Sequence, residues 1–389
     1  MVTKWAGYPL IKQVEMKRLF VFILPLLLVQ MAKADGHHPR QQGESGVMMR
    51  GSHDTAASFL PKPVSTGIYR NNIYKKRLDS IQLDVPLDFN EDVQSYIDGY
   101  LAQREEISRE LGLAKYYFPI YEKAFRDAGI PDEIKYLSIV ESQLNPNAVS
   151  RVGATGPWQF MGTTAKMYGL NMDNYIDERR DPVLSSNAAA AYLKDAYQQF
   201  GDWLVAIASY NCGKSNVMDA IEKAGGATDY WSIRQYLPVE TRGYVPAYIA
   251  ITYVMHYHKK YNIIAGECNL AMKTDTVSVD KFISLNSVSR VLGISLTQLS
   301  MLNPSYTQAI INGSVSAPKM LVIPVAFREK YKMLYGNLNS ELGSADIPET
   351  GLYDKVQPIE KRIPVHHKPR KYESLASVGK IHSKSGASL

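Results

Sequence analysis

Between Ile130 and Met161 the chain reads IPDEIKYLSIVESQLNPNAVSRVGATGPWQFM, and this stretch limits what the rest can fold into. Pro131 suits the first turn of a helix, and Asp132 and Glu133 suit the positive end of its dipole. Ile134, Leu137, Val140 and Leu144 then recur at helical spacing, which predicts a helix that stops after Pro146. Glu141 falls four residues after Leu137 and three before Leu144, so it shares their buried stripe. A carboxylate on such a stripe is costly unless it is paired or protonated. Gly153, Gly156 and Pro157 mark a tight loop that carries Trp158 and Gln159. A buried acid facing a glycine-bounded loop with an amide and an aromatic makes a cleft suited to acid chemistry.

The flanking text is helical as well. Val93, Tyr96, Ile97 and Tyr100 give one amphipathic face from a start near Asn90, and Tyr117, Ile120, Tyr121 and Phe125 give a second. Ser185 or Ser186 can cap a helix running through Ala189, Leu193 and Tyr197 and ended by Gly201. Another runs from Trp203 through Ile207 to Tyr210, and TRGYVPAYIAITYVMHYHKKY supplies one more with a proline near its start. Strand alternation is nearly absent from 90 to 262, which predicts an all-α domain, placed at 76–265. From Thr274 the pattern changes. DTVSV alternates, FISLNSVSRVLGISLTQLSMLNP reads as two short helices joined at Gly293, and LVIP reads as a closing strand. The fold class expected is therefore mainly α, a helical domain followed by a small βααβ module at 270–326.

The two ends differ from this body. From Met16 a charged start, an apolar run from Leu19 to Val29 and Ala32-Lys33-Ala34 read as a secretory signal over 1–34. No cysteine follows the cleavage site, which argues against a lipoprotein anchor. Residues 35–75 read as a disordered linker and 337–364 as another. Between 351 and 389 there are eight Lys plus Arg against three Asp plus Glu, +5 of the formal +6 of the whole chain. The basic balance thus lies in the tail and not on a nucleic-acid face. That tail is either simply solvated or loosely attracted to an anionic polymer of the cell envelope. Cys212 and Cys268 are the two cysteines; export permits a disulfide, but their spacing does not establish one. The histidines lie mostly in the tails, so neither a metal nor another cofactor is expected.

The run ESQLNPNAVSRVGATGPWQFM resembles the lytic murein transglycosylases of the soluble-lytic-transglycosylase, goose-lysozyme-like group, glycoside hydrolase family 23. Within that group the arrangement is most similar to the D-type membrane-bound enzymes, whose catalytic domain precedes LysM modules. VPLDFNEDVQSYIDGY and LAKYYFPIYEKAF also look like that family's lead-in helices. The resemblance implies a lysozyme-like helical catalytic domain and a LysM-like module. It makes 365–389 a partial or truncated second LysM-like repeat. It implies peptidoglycan glycan strands as the partner, and a place in the periplasm or cell envelope with peripheral envelope association.

By the same resemblance Glu141 is the single general acid/base. In the family it first protonates the leaving oxygen of the MurNAc–GlcNAc β-1,4 bond. It then acts as base on the C6 hydroxyl of the same sugar, giving a 1,6-anhydro end without consuming water. Ser142, Ser150, Gln159, Tyr210, Asn211 and Tyr244 match the family's polar cleft positions and are expected to bind substrate. Trp158 is read as core in preference to a sugar-stacking wall. Lys214 and Ser215 stand where a Pro-Gly pair is common, and Gly162 where a proline usually follows the methionine. These departures alter loops and leave the acid in place. A standard hydrolase needs a second carboxylate about 5–10 Å away; Asp177, Glu178 and Asp181 lie downstream, so a lysozyme-type hydrolase stays open. A LysM-type adaptor that binds glycan without cleaving it is the alternative outside enzymes.

Overall fold

The computed structural model describes residues 60–61 and 71–335. The expected signal, most of the first linker, the 337–364 linker and the partial repeat lie outside the described residues. Helix α1 (Asn71–Ile81) begins within the stretch expected to be linker. Tyr74 and Leu78, one turn apart, are buried, the Tyr74 hydroxyl donates to Asp98, and Arg77 donates to the hydroxyls of Tyr253 and Tyr261. Two apolar positions were too few to reveal this helix by period alone.

α2 (Glu91–Ala102) starts where the sequence placed it: Asn90 accepts from the Val93 amide at 3.0 Å. α3 (Arg104–Ala128) absorbs the Tyr117–Phe125 pattern into one long amphipathic helix. It ends at Gly129, whose φ of +71° is a left-handed cap that glycine adopts without steric cost. The Ile130–Met161 stretch departs from one regular helix. A 3-10 turn over Asp132–Tyr136 leads into a short α4 (Leu137–Ser142), and Gln143 and Leu144 both take left-handed φ, +55° and +61°. That reversal ends the helix before Pro146 and still delivers Leu144 to the core, fully buried.

α5 (Gly162–Met167) follows the Gln159 loop, and then α6 (Pro182–Phe200). Asp181, not Ser185 or Ser186, caps α6, accepting from the Val183 and Leu184 amides at 2.8 and 2.9 Å. The two serine hydroxyls bond back to carbonyls of the first turn, as serines inside a helix do. Ala188, Ala189, Ala190 and Ala196 of α6 are buried, and such small side chains suit the packing of α6 along α3. α7 (Trp203–Cys212), α8 (Lys214–Lys223), α9 (Tyr230–Ile233) and α10 (Val239–Tyr257) complete the body. Every residue of α10 from Tyr244 to Met255 is buried. A helix apolar on all sides is an interior one, and α2, α4 and α7 pack around it.

The module after Thr274 has its own core. β1 (Thr274–Val279) pairs antiparallel with the closing strand, and β2 (Phe282–Ser284) precedes α11 (Leu285–Leu292) and α12 (Leu296–Leu302). β3 (Ile310–Asn312) pairs with β2, β4 (Lys319–Pro324) pairs with β1, and α13 (Arg328–Tyr335) follows. The strand–helix–helix–strand expectation therefore holds with a second short strand pair added; Phe282–Ser284, read as helical, is strand. Val279, Leu285, Leu292, Leu299, Leu321 and Ile323 form the module's apolar centre, joined there by Ile176 from the helical body.

Candidate active site

Glu141 sits in the last turn of α4 at 4 % exposure, with Leu137 and Val140 of the same turn fully buried. Burial pushes its carboxyl up to about 8, and a hydrogen bond from the Tyr244 hydroxyl pulls the other way. Tyr244 comes from α10, whose Tyr248 also donates to the Glu133 carbonyl at 3.3 Å. The interior helix thus fixes both ends of the segment that carries the acid. At neutral pH a carboxyl near 8 is largely protonated, the state required of a proton donor.

The other expected residues organise the loop facing the acid. Ser142 donates to the Pro157 carbonyl at 2.9 Å, and Tyr210 donates to the Trp158 carbonyl at 2.8 Å. Burial and the Glu141 carboxyl both raise the Tyr210 phenol, so it lies within electrostatic reach of the acid. Gln159 takes a left-handed φ of +47°, unusual for a residue with a Cβ, and donates to the Gly156 and Ala148 carbonyls. Ser150 accepts from the Ala154 amide across the same turn. Asn211 accepts from the Thr241 hydroxyl at 2.8 Å, which leaves its amide hydrogens as donors. Glu141, Tyr244 and Tyr210 are thus grouped, Ser142, Gln159 and Ser150 join through the loop, and Asn211 is bonded to Thr241.

Trp158 is fully buried, ringed by Tyr121 and Phe125, with its indole N–H given to Ser186. It is core, and no sugar-facing wall. Gly156, at φ +88°, could not carry a side chain: a Cβ there would lie 1.8 Å from the Arg179 carbonyl oxygen. Lys214 opens α8 with its ammonium over the Tyr192 ring, 5.0 Å from the centroid, and Gly162 opens α5. Cys212 and Cys268 are both free, and burial pushes the Cys212 thiol up to about 11, which makes it a filler and not a nucleophile.

The three downstream carboxylates have other duties. Asp177 holds Arg179, Glu178 holds Asn171, and Asp181 caps α6. Arg179 was missed in the sequence. It donates to the Gly153 and Phe160 carbonyls at either end of the Gln159 loop, but lies outside every motif used to find the site. Its one local signal, an aspartate two residues earlier, is too common to single out. A cavity of about 410 Å³ at the end of α4, lined by Arg109, Tyr117, Ser142, Gln143, Leu270 and Met301 among others, includes neither Glu141 nor Tyr244.

The transglycosylase SLT domain family matches residues 118–232, and the LysM-like domain family of lytic transglycosylase MltD matches 273–340. The membrane-bound lytic murein transglycosylase D of Escherichia coli K12 is 29% identical over 250 residues, covering 63% of this chain and 54% of that protein. The membrane-bound lytic murein transglycosylase F of Alcanivorax borkumensis is 28% identical over 185 residues, 41% of this chain and 38% of that one. Among solved structures, the 70-kDa soluble lytic transglycosylase of Escherichia coli is 24% identical at a TM-score of 0.32, covering 50% of this chain and 31% of that one. The chain spans about half the length of the D-type relative. The chain thus carries a match to a transglycosylase SLT domain followed by a match to an MltD-type LysM-like domain, and its curated relatives are named lytic murein transglycosylases.

Proposed function

We propose that the chain cleaves the MurNAc–GlcNAc β-1,4 bond of peptidoglycan without water, leaving 1,6-anhydroMurNAc ends, with Glu141 as the only acid/base. The observation that carries this reading is a buried carboxyl, pushed up to about 8 by burial, that accepts from the Tyr244 hydroxyl. A hydrolase of the two-carboxylate kind needs a second free acid beside the first. Asp177, Glu178 and Asp181 are each engaged in an ion pair, a loop bond or a cap, which favours the single-acid route over lysozyme-type hydrolysis.

In this mechanism Glu141 gives its proton to the leaving glycosidic oxygen. The carboxylate left behind is stabilised by the Tyr244 hydroxyl and takes the proton of the C6 hydroxyl as that oxygen closes on the anomeric carbon. Both steps use one group, so protonated and ionised forms must both be within reach at working pH. A carboxyl near 8 meets that condition. Gln159, Tyr210, Asn211 and Ser150 offer amides and hydroxyls suited to sugar hydroxyls and acetamido groups, with Ser142 holding the loop against the acid's helix. The LysM-like module binds glycan, and the names of the relatives agree with action in the periplasmic envelope. Among the described residues no helix is long and apolar enough to cross a membrane.

The adaptor reading requires a disabled site, whereas the acid, its tyrosine and the facing loop are all in place. Incubating the full chain with purified sacculi tests the choice. Release of soluble muropeptides by the wild type and not by Glu141→Gln is the expected result; release by neither would favour the adaptor.

A further inference from the structure

We propose that Arg179 is a positioning residue for the Gln159 loop, and that the LysM-like module supports the active site through it. The inference rests on the reading of Glu141 and Gln159 given above, and it assigns the module a duty beyond glycan affinity.

The chain of contacts is continuous. In the helical body, Tyr175–Asp177 pairs with Ser305–Thr307 of the module: Ile176 bridges Tyr306, the Asp177 amide donates to the Ser305 carbonyl at 2.9 Å, and the Thr307 amide donates to the Tyr175 carbonyl at 3.0 Å. Ile176 is buried in the module's core, and the Tyr175 ring meets Phe282 edge-on at 5.3 Å. Module side chains close the joint, Gln308 donating to the Asn174 carbonyl at 2.7 Å and Asn312 to Asp173 at 3.2 Å. Asp177, held there by its backbone, grips the Arg179 guanidinium with both carboxylate oxygens, Nε to Oδ1 at 2.9 Å and Nη2 to Oδ2 at 2.8 Å. The remaining Nη1 donates to the Gly153 carbonyl at 2.9 Å and the Phe160 carbonyl at 3.2 Å. Those carbonyls stand at the two ends of the loop that carries Gln159, and the Arg179 carbonyl itself lies where Gly156 would need a Cβ.

A bidentate guanidinium fixes direction as well as distance, which an ammonium does not. Arg179 therefore sets where the loop stands, and the module keeps Asp177 in the place that sets Arg179. A freely tethered binding module would share no backbone bonds with the catalytic body and would leave the loop unaffected by changes on its own surface.

The test uses the full chain with Arg179→Lys and, separately, the double variant Gln308→Ala/Asn312→Ala, which alters only the docking joint. Two readouts are taken: amide hydrogen exchange of segment 153–160 against segment 245–254 of α10, and kcat and KM on murein glycan strands. Arg179→Lys is expected to speed exchange in 153–160 about 10-fold with α10 unchanged, and to lower kcat about 10-fold with KM nearly constant, since misplacement of about 1 Å suffices for losses of this order. The double variant should show the same signature at about threefold. Wild-type exchange in 153–160 and wild-type kcat in a folded Arg179→Lys protein would overturn the positioning role. The same result in the double variant would overturn the module's part, and that variant also decides the matter if Arg179→Lys does not fold. If the wild type does not cleave murein but exchange responds as described, the proposed function fails and the positioning role stands.

Discussion

Glu141 and Glu110 belong to the same helical body and share one electrostatic fate. Each is almost wholly buried, and burial pushes each carboxyl up to about 8. Their surroundings differ. Glu141 receives the Tyr244 hydroxyl and faces a loop of amides and hydroxyls held by Ser142 and Tyr210. Glu110 lies on α3 where Gly112 meets the Gly266 backbone; among the described residues its Oε2 has no hydrogen-bond partner, and neither has the nearby Tyr100 hydroxyl. A raised carboxyl marks desolvation and nothing more. What separates the two carboxyls is a donor ready for the ionised form, which Glu141 has in the Tyr244 hydroxyl.

The comparison is broken most forcefully by removing each acid in turn. Glu141→Gln keeps the shape and removes the proton, and turnover of sacculi should fall by about 100-fold or more, the scale of general acid catalysis. Glu110→Gln should leave turnover within about a factor of two. Equal losses in the two folded variants would mean that the tyrosine and the loop do not distinguish the sites.

Tyr244→Phe sharpens the contrast by making the surroundings of Glu141 more like those of Glu110. The hydroxyl favours the ionised carboxylate, so its loss should raise the carboxyl further and carry the alkaline limb of the pH–rate profile upward. About a 10-fold loss of kcat should accompany the shift, from the charged hydrogen bond removed. An alkaline limb that stays put in an active Tyr244→Phe protein would assign that limb to another group.

The smallest effect concerns stability. A carboxyl raised from 4.5 to about 8 in the folded state holds its proton there after the unfolded chain has lost it. Stability is therefore full below the unfolded value, declines by about 1.4 kcal/mol per pH unit for each such group as pH rises, and levels off above the folded value. Glu141 and Glu110 both contribute to that decline. Urea unfolding at steps between pH 5 and 8 should show a slope roughly halved in Glu110→Gln, with little difference at pH 4. An unchanged slope would mean that Glu110 ionises freely.

The burial of Glu141 was legible because the residue lies on one local pattern, the Ile134–Leu144 stripe. Tyr244 was legible by resemblance alone; a phenol in α10 reaching an acid in α4 leaves no trace in local spacing. Local rules also misjudged three ends. The cap of α6 went to Asp181 because its carboxylate reaches two amides, while Ser185 and Ser186 turned their hydroxyls back into the helix. α4 stopped at Gln143, a non-glycine residue in a left-handed turn that delivers Leu144 to the core and lets Gln143 accept from Arg109. α1 escaped notice because two buried apolar positions show no period, and the Tyr253 and Tyr261 hydroxyls that hold its Arg77 lie far along the chain. Least legible was the joint between Tyr175–Asp177 and Ser305–Thr307, since a bridge between distant segments obeys no period at all.

The central claim, one carboxyl acting twice with no water consumed, is tested most directly by the mass of the new sugar ends. Sacculi digested by the wild-type chain and analysed as muropeptides should carry MurNAc ends lighter than reducing ends by one water, the mark of the 1,6-anhydro ring. Reducing ends as the main product, with oxygen from labelled water incorporated at the anomeric carbon, would contradict the account and require a water-activating group beside Glu141.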